Sequence, residues 1–193
     1  VPVIACDCPV CHSSDPRNRR RRASLYIEAC GLNLIVDTTP DFREQCLAYD
    51  VRRIDAVLYT HSHADHIFGL DDIRRFNALQ QSIIPAYAAE GTLADLRRIF
   101  DYVDHAGAPG TYRPRIQFRE IDGAFNIGGI HVVPLPVVHE NKPTVGFLFE
   151  ADGRMFGYVP DCQEMPPETV EALQGVEVMI LDALRHRPHA THL

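Results

Sequence analysis

Apolar positions in the first half of the chain predict short strands that alternate with helices. Leu25 to Glu28 and Leu32 to Val36 flank Gly31 and predict a hairpin. Further apolar runs predict strands over 54–59 and 83–88, and near-helical spacing predicts helices over 40–49, 70–79 and 92–103. Pro40 is expected at the first helical position, with Thr38 or Thr39 as the cap.

The second half is rich in strands separated by turn residues. Apolar runs predict strands over 116–118, 124–127, 130–135, 145–149 and 155–158, with Gly128-Gly129 and Asp152-Gly153 as turns. A helix is predicted over 165–173, followed by a buried strand over 176–181, and residues 105–114 are predicted to be a loop or lid. The linear pattern alone supports a mixed α/β domain.

Length, composition and charge indicate one domain and exclude several functions. The 193 residues with 46% apolar content predict one domain, 1–193, in which 1–22 form a Cys-rich and Arg-rich N-terminal loop. No apolar run reaches the roughly 18 residues of a membrane span, and we expect a cytoplasmic protein; the given sequence contains no n-region or h-region, which leaves open whether a signal peptide precedes Val1. The net charge of −7 argues against general nucleic-acid binding. We expect both ends to be trimmed relative to the full protein.

Four metal-capable side chains fall within six residues after the run that ends at Tyr59: His61, His63, Asp65 and His66. Imidazole and carboxylate groups suit Zn²⁺, Mn²⁺ or Fe²⁺. A strand end that leads into a turn lets positions i, i+2, i+4 and i+5 converge on two ions. The alternative is a chance cluster of histidines on a surface loop.

Further candidate ligands follow strands of the second half. His139 follows the strand that begins at Ile130, whereas His131 alternates inside it and is expected to pack or face solvent. Asp161 ends the next strand with a carboxylate, as a bridging ligand would require; the alternative is a loop or cap residue. Asp37 also stands at a strand end, where an ordinary cap is one interpretation.

Two N-terminal motifs carry separate hypotheses. Cys6, Cys8 and Cys11 form a CxCxxC arrangement that would supply three thiolates of a tetrahedral zinc site, with unrelated reduced cysteines as the alternative. His12 is an awkward fourth ligand because it adjoins Cys11. The basic run over 17–22 matches phosphate chemically, but it also fits a solvated loop.

The segment His61-Ser62-His63-Ala64-Asp65-His66 matches the HxHxDH signature of the metallo-β-lactamase superfamily. The continuation Gly69-Leu70-Asp71-Asp72-Ile73-Arg74 resembles the phosphodiesterase branch related to the phosphoribosyl cyclic phosphate phosphodiesterase of phosphonate breakdown. This resemblance implies an α+β fold, the four-layer αββα sandwich. It also implies two divalent ions, Zn²⁺ or Mn²⁺, and one structural Zn²⁺ at the cysteines.

The same resemblance assigns roles to the candidate residues. His61, His63 and His139 would hold one ion, Asp65 and His66 the other, and Asp161 would bridge them. Asp65 would guide a proton, and His192, in the His-rich end, would reach the substrate; His186 and His189 are weaker candidates. Asp37 would orient a ligand histidine, which is the alternative to a simple cap. His105 is expected at the surface.

The predicted function is a metal-dependent phosphodiesterase that cleaves a small, cyclic phosphodiester with a hydroxide activated by two metal ions. One alternative is a ribonuclease Z-like RNA endonuclease, which the acidic balance disfavours. Another is a non-catalytic metal-binding or ligand-carrier protein like the coenzyme PQQ synthesis protein, which the intact metal ligands disfavour. The sequence leaves a homodimer open.

Overall fold

The computed structural model describes residues 2–104, 112–184, 187 and 189–193. The first five strands form one sheet in the order β1-β2-β3-β4-β5. They are β1 (Leu25–Ala29), β2 (Leu32–Val36), β3 (Ala56–Leu58), β4 (Ile84–Ala88) and β5 (Ile116–Glu120). The predicted hairpin is the antiparallel pair β1-β2, and β2 to β5 run parallel.

The other five strands form a second sheet in the order β10-β9-β8-β7-β6. They are β6 (Phe125–Ile127), β7 (Ile130–Val137), β8 (Thr144–Ala151), β9 (Arg154–Val159) and β10 (Val178–Leu181). Pairing is antiparallel from β6 to β9, and β10 joins β9 in parallel. Both sheets therefore contain parallel and antiparallel pairs.

The helices lie between strands along the chain. They are α1 (Phe42–Ala48), α2 (Ala64–Ile67), α3 (Ile73–Gln80), α4 (Glu90–Ile99) and α5 (Pro167–Ala172). Short 3₁₀ turns cover Pro16–Asn18, Leu70–Asp72 and Asp101–Val103. No helix in the described ranges combines the length and the apolar character that a membrane crossing requires.

Side chains on opposite faces of the strands pack into different cores, which gives the predicted four layers. In β2, Leu34 and Val36 pack with Phe147 of β8, so this face of the first sheet meets the second sheet. Ile35 points the other way, into a core that also contains Leu96 of α4. A third cluster lies between the second sheet and the segment around α5. The αββα sandwich expected from the family resemblance is therefore confirmed.

Two details of the predicted elements were wrong. Helix α1 begins at Phe42 rather than Pro40, because the Thr39 hydroxyl accepts a hydrogen bond from the backbone N–H of Asp41 at 3.1 Å and forms a turn first. The last strand is not buried: Val178 is 56% exposed and Ile180 40%. Within the described residues β10 is an edge strand, paired on one side to β9.

Strand direction gathers the candidate ligands at one edge of the sandwich. β2 and β3 are parallel, so Asp37 and Thr60 follow strand ends that lie side by side. β7 and β9 both run antiparallel to β8, which brings the residues after Val137 and Val159 to a common edge. A hydrogen bond from Val145 N to Thr60 O (3.1 Å) joins the two sheets at this edge.

Gly69 is required by a close backbone approach. A Cβ at this position would lie 2.2 Å from the carbonyl oxygen of Thr39 and 2.7 Å from Cβ of Phe42. We expect Gly69→Ala to lower the free energy of unfolding by about 1–3 kcal/mol or more, as overpacking does. Urea unfolding measures this, with Gly123→Ala as the control because a Cβ there would meet nothing within 4 Å. Equal effects of the two substitutions would contradict the packing argument.

Candidate metal centre

Three histidine nitrogens face one another between the two sheets. His61 Nε2 lies 3.0 Å from His63 Nδ1, and His139 Nε2 lies 3.3 Å from the same atom. With zinc–nitrogen bonds of 2.0–2.1 Å, tetrahedral ligands stand about 3.3 Å apart. Both of these pairs therefore have the spacing of ligands on one tetrahedral ion, and the donor atoms of all three rings lie within 4.8 Å of one another.

Hydrogen bonds from the far side of each ring fix which nitrogen is free. The Thr60 hydroxyl donates to Asp37 Oδ2 at 2.8 Å, so it accepts from His61 Nδ1 at 2.9 Å. His139 Nδ1 donates to the carbonyl oxygen of Thr191 at 2.8 Å. In both rings this leaves the lone pair of Nε2 directed at the cluster, as ligand histidines are held in metal sites.

Asp161 lies between the first group of donors and His66. Its Oδ2 atom is 2.9 Å from His66 Nε2, 3.6 Å from His61 Nε2 and 3.7 Å from His139 Nε2. One carboxylate therefore reaches both groups of histidines, which is the position a bridging ligand needs.

Asp65 stands further out than the other predicted ligands. It lies in α2, its side chain is 56% exposed, and its Oδ2 atom is 3.9 Å from His66 Nε2. Among the described residues, the donor groups that converge within 4.8 Å include His61, His66 and Asp161 but not Asp65. Its carboxylate is close enough to complete the second group after a small side-chain movement.

Asp37 is fully buried and anchors both ends of the segment from Thr60 to His66. Its Oδ1 accepts from the backbone N–H of Thr60 at 2.9 Å, and its Oδ2 accepts from His66 Nδ1 at 2.8 Å. The N-cap of α1 is Asp41 instead. Of the two interpretations that the sequence left open for Asp37, the contacts support the one in which it orients a ligand.

His192 also reaches the cluster. Its Nδ1 lies 2.6 Å from Oδ2 of Asp182, which accepts a second hydrogen bond from Cys162 N at 3.1 Å. A nitrogen of His192 falls within 4.8 Å of donor atoms of His139 and Asp161. Sequence reasoning missed the role of Asp182, although it follows β10 at the edge where the other ligands stand.

Burial and nearby charges shift the pKa values of His61 and His66 in opposite directions. Burial lowers the pKa of His61 to about 2, so this ring is neutral and free to donate its lone pair. Burial alone would lower the pKa of His66 as well, but Asp37 and Asp161 outweigh it and raise the pKa to about 10. Burial opposes ionisation of Asp161, yet the contacts with His66 hold its pKa at about 2. The proton on His66 thus occupies the position where a cation would bind.

These shifts predict a stability maximum near pH 6.5 for the metal-free protein. As the pH falls from about 10 to 6.5, the folded state keeps a proton on His66 that the unfolded chain lacks, so stability rises. Below about 6.5 the unfolded chain protonates His61 while the folded state keeps it neutral, so stability falls. Thermal unfolding with a chelator tests this, and His66→Gln should remove the alkaline slope. A midpoint that rises steadily to pH 9 would contradict it.

The N-terminal cysteines converge as predicted from their spacing. Donor atoms of Cys6, Cys8 and Cys11 lie within 4.8 Å of one another. The backbone N–H of Cys11, 3.4 Å from Cys8 Sγ, helps to lower the pKa of Cys8 to about 7. His12 is instead 3.4 Å from Asp7, and no fourth donor joins the group in the described ranges. A structural zinc here stays a prediction.

Two arginines of the basic run hold the N-terminal loop against α1. Arg22 pairs with Asp41 at 3.0 Å, and Arg21 donates to the carbonyl oxygen of Glu44 at 3.0 Å. Arg17 pairs with Asp15 inside the loop. These contacts favour a loop held against α1 over a phosphate site.

Two histidines named from the sequence, His105 and His186, lie outside the described residues. His189 is described, and its Nδ1 accepts a hydrogen bond from Thr191 N at 3.3 Å. His131 lies 2.9 Å from Asn126 Oδ1 on the neighbouring strand, away from the donor cluster. Among the described histidines of the C-terminal segment, His192 is therefore the one in the candidate site.

The sandwich and its edge cluster of histidines and carboxylates define a metallo-β-lactamase-type domain. Residues 32–193 match the family described as the beta-lactamase superfamily domain, and the chain belongs to this superfamily. The family resemblance inferred from the HxHxDH motif is thus confirmed.

Similar proteins differ in their named activities. The chain is 33% identical to an octanoyltransferase of Porphyromonas gingivalis over the whole chain and 38% of that protein. It is 26% identical to coenzyme PQQ synthesis protein B of Methylobacterium nodulans, covering 94% of the chain and 68% of that protein. A ribonuclease Z of Bradyrhizobium diazoefficiens is 28% identical over 74% of the chain and 48% of its own length. The chain thus spans well under half of the octanoyltransferase.

Among solved structures, a diphosphatase from the PhnP family superposes with a TM-score of 0.88 at 38% identity, covering all of this chain and 72% of that one. The Zn²⁺-bound PqqB of Methylobacterium extorquens superposes with a TM-score of 0.71 at 23% identity, covering 93% and 67%. The second similarity concerns the fold alone.

Proposed function

We propose that this protein is a metal-dependent hydrolase that cleaves a small phosphodiester, with cyclic phosphodiesters as the preferred substrates. The observation that carries the proposal is the donor set around Asp161 Oδ2, which lies within 3.7 Å of nitrogens of His61, His66 and His139. Packing or surface solvation does not require this convergence of buried imidazoles.

The donor set fits divalent cations. His61, His63 and His139 would hold one ion, His66 and Asp65 the other, and Asp161 both. Bound there, two divalent ions would lower the pKa of a water molecule and stabilise negative charge on phosphoryl oxygens. Neutral imidazoles and carboxylates suit Zn²⁺ and Mn²⁺ alike.

The chain's own residues would supply the proton transfers. Asp65, exposed at the rim, would accept a proton from the attacking water. The Asp182 carboxylate accepts from Nδ1 of His192 at 2.6 Å and would stabilise the doubly protonated, cationic ring, whose Nε2–H would donate a proton to the leaving alkoxide. The buried Asp37 and Thr60 would keep the ligand rings in the tautomers that bind cations.

A second candidate is hydrolysis of a diphosphate linkage. The structure at 38% identity is that of a diphosphatase, and a diphosphate diester presents the same disubstituted phosphorus as a phosphodiester. An RNA endonuclease is less favoured, because the net charge of −7 offers little attraction to a polyanion. A ligand carrier that binds no metal would not need the oriented histidines, and hydrolysis of a diester separates an enzyme from a protein that only binds metal.

The test compares substrates at equal metal loading. The purified protein with Mn²⁺ or Zn²⁺ is given bis-p-nitrophenyl phosphate, a ribose cyclic phosphate, ADP-ribose as a diphosphate diester, and p-nitrophenyl phosphate as the monoester control. We expect hydrolysis of diesters, abolished by a chelator and restored by metal. Metal-loaded protein that leaves both phosphodiesters and ADP-ribose intact would overturn the proposal.

A further inference from the structure

The carboxylate of Asp95, on α4, is bound by three side chains at the rim of the metal centre. Its Oδ2 accepts hydrogen bonds from the Ser62 hydroxyl at 2.6 Å and from Lys142 Nζ at 2.7 Å. Its Oδ1 accepts from Arg98 NH2 at 3.0 Å. Both oxygens are therefore used, and the side chain is only 20% exposed.

Two of these partners belong to different ligand loops. Ser62 stands between His61 and His63, in the loop that leaves the first sheet after β3. Lys142 stands three residues after His139, in the loop between β7 and β8 of the second sheet. A single carboxylate oxygen thus joins the two loops that must meet around the first group of donors.

Other contacts at this edge also hold the loops of the two sheets together. A Cβ at Gly91 of α4 would lie 3.3 Å from Cγ of Pro143, so α4 packs closely on the loop that carries His139. Together with the Val145–Thr60 hydrogen bond between the sheets, these contacts make α4 part of the support of the centre.

The charges at Asp95 favour a fixed arrangement. Hydrogen bonds from Lys142, Ser62 and Arg98 hold the pKa of Asp95 well below its usual range, so the acceptor stays ionised across the working pH range. Charge-assisted hydrogen bonds are stronger than neutral ones. The Lys142 and Arg98 side chains are themselves 43% and 71% exposed, so their pairs with Asp95 add little to overall stability and the main effect expected of this cluster is on loop geometry.

We propose that Asp95 is a positioning residue that clamps the Ser62 loop to the Lys142 loop and so sets His61 and His63 at ligand distance from His139. The inference rests on the proposed metal site and concerns how that site is pre-organised. Asp95 itself touches no donor atom; it acts through Ser62 and Lys142.

The experiment measures Zn²⁺ affinity by competition with a chromophoric chelator and the visible spectrum of the Co²⁺ form, in a background in which Cys6, Cys8 and Cys11 are replaced by Ser so that only the histidine site reports. Asp95→Ala should weaken Zn²⁺ binding about 10–100-fold, as loss of outer supporting contacts does, and should alter the Co²⁺ bands. Ser62→Ala and Lys142→Met should each give part of the loss. Lys142→Met added to Asp95→Ala should cause no further loss, because Asp95 mediates its effect.

Two further variants keep the result interpretable. Asp95→Asn retains the shape and one acceptor, and should give an intermediate Zn²⁺ affinity. It replaces Asp95→Ala in the comparison if that variant fails to fold. Asp50→Asn removes the charge from the surface pair with Arg52 and should leave Zn²⁺ affinity unchanged. Wild-type affinity and an unchanged Co²⁺ spectrum in Asp95→Ala would overturn the clamp alone. A wild-type protein that binds no Zn²⁺ would overturn the metal-site proposal and the clamp together.

Discussion

Asp161→Ala is expected to reduce hydrolysis of a phosphodiester by at least about 10²- to 10³-fold, the loss seen when one transition-state-stabilising group is removed. Its Oδ2 atom reaches nitrogens of His61, His66 and His139, so one substitution removes a donor from both groups. Metal content should fall in parallel. Steady-state kinetics with Mn²⁺ or Zn²⁺ and metal analysis of the same samples measure both effects.

The control for this prediction is Arg20→Ala, in the N-terminal loop. Arg20 donates to the carbonyl oxygen of Arg17 and serves only that loop in the described structure, so its removal should leave activity near wild type. An Asp161→Ala protein that retains full activity and metal content would remove the bridging role. Loss of activity in Arg20→Ala would instead favour a phosphate-binding role for the basic run.

His192→Ala is expected to slow substrates according to their leaving groups. A general acid contributes about 10²- to 10⁴-fold, and this contribution is needed for an alkoxide but much less for p-nitrophenolate. The substitution should therefore reduce cleavage of a ribose cyclic phosphate strongly and that of bis-p-nitrophenyl phosphate weakly. Comparison of kcat/KM for the two substrates at equal metal loading measures this difference.

Metal content separates this role from metal ligation, which the position of His192 near His139 and Asp161 also permits. With a proton-donating role, His192→Ala keeps the metal content of the wild type, and Asp182→Asn shows the same dependence on the leaving group in a milder form. Equal losses on both substrates, together with loss of metal, would contradict the proton-donating role and make His192 a ligand.

The spacing of apolar residues together with the HxHxDH motif was sufficient to predict most of the architecture. The apolar run of β2 predicts a strand from the sequence. In the structure its residues alternate between two cores, Leu34 and Val36 in one and Ile35 in the other, and this alternation separates the layers of the sandwich. The HxHxDH loop could be recognised from the sequence because its candidate ligands lie within six residues of one another. His139 and Asp161 were predicted because each ends a strand, and the structure places both in the cluster.

The remaining site depends on contacts between residues far apart in the chain. Asp182 meets His192 ten positions further along, in a contact that no local pattern predicts, and Asp95 meets Lys142 across 47 positions. The exposure of β10 could not be predicted either, because an apolar run has the same period whether or not another layer covers it. Chain topology decides these features.

The most direct test of the metal centre is a crystal structure of the protein soaked in Zn²⁺ or Mn²⁺, with anomalous diffraction at the metal edge. At the edge of the sandwich the proposal predicts two anomalous peaks, one bound by His61, His63 and His139, the other by His66 and Asp65, with the Asp161 carboxylate between them. Crystals that show these side chains well ordered, with no anomalous density among them at millimolar metal, would contradict it.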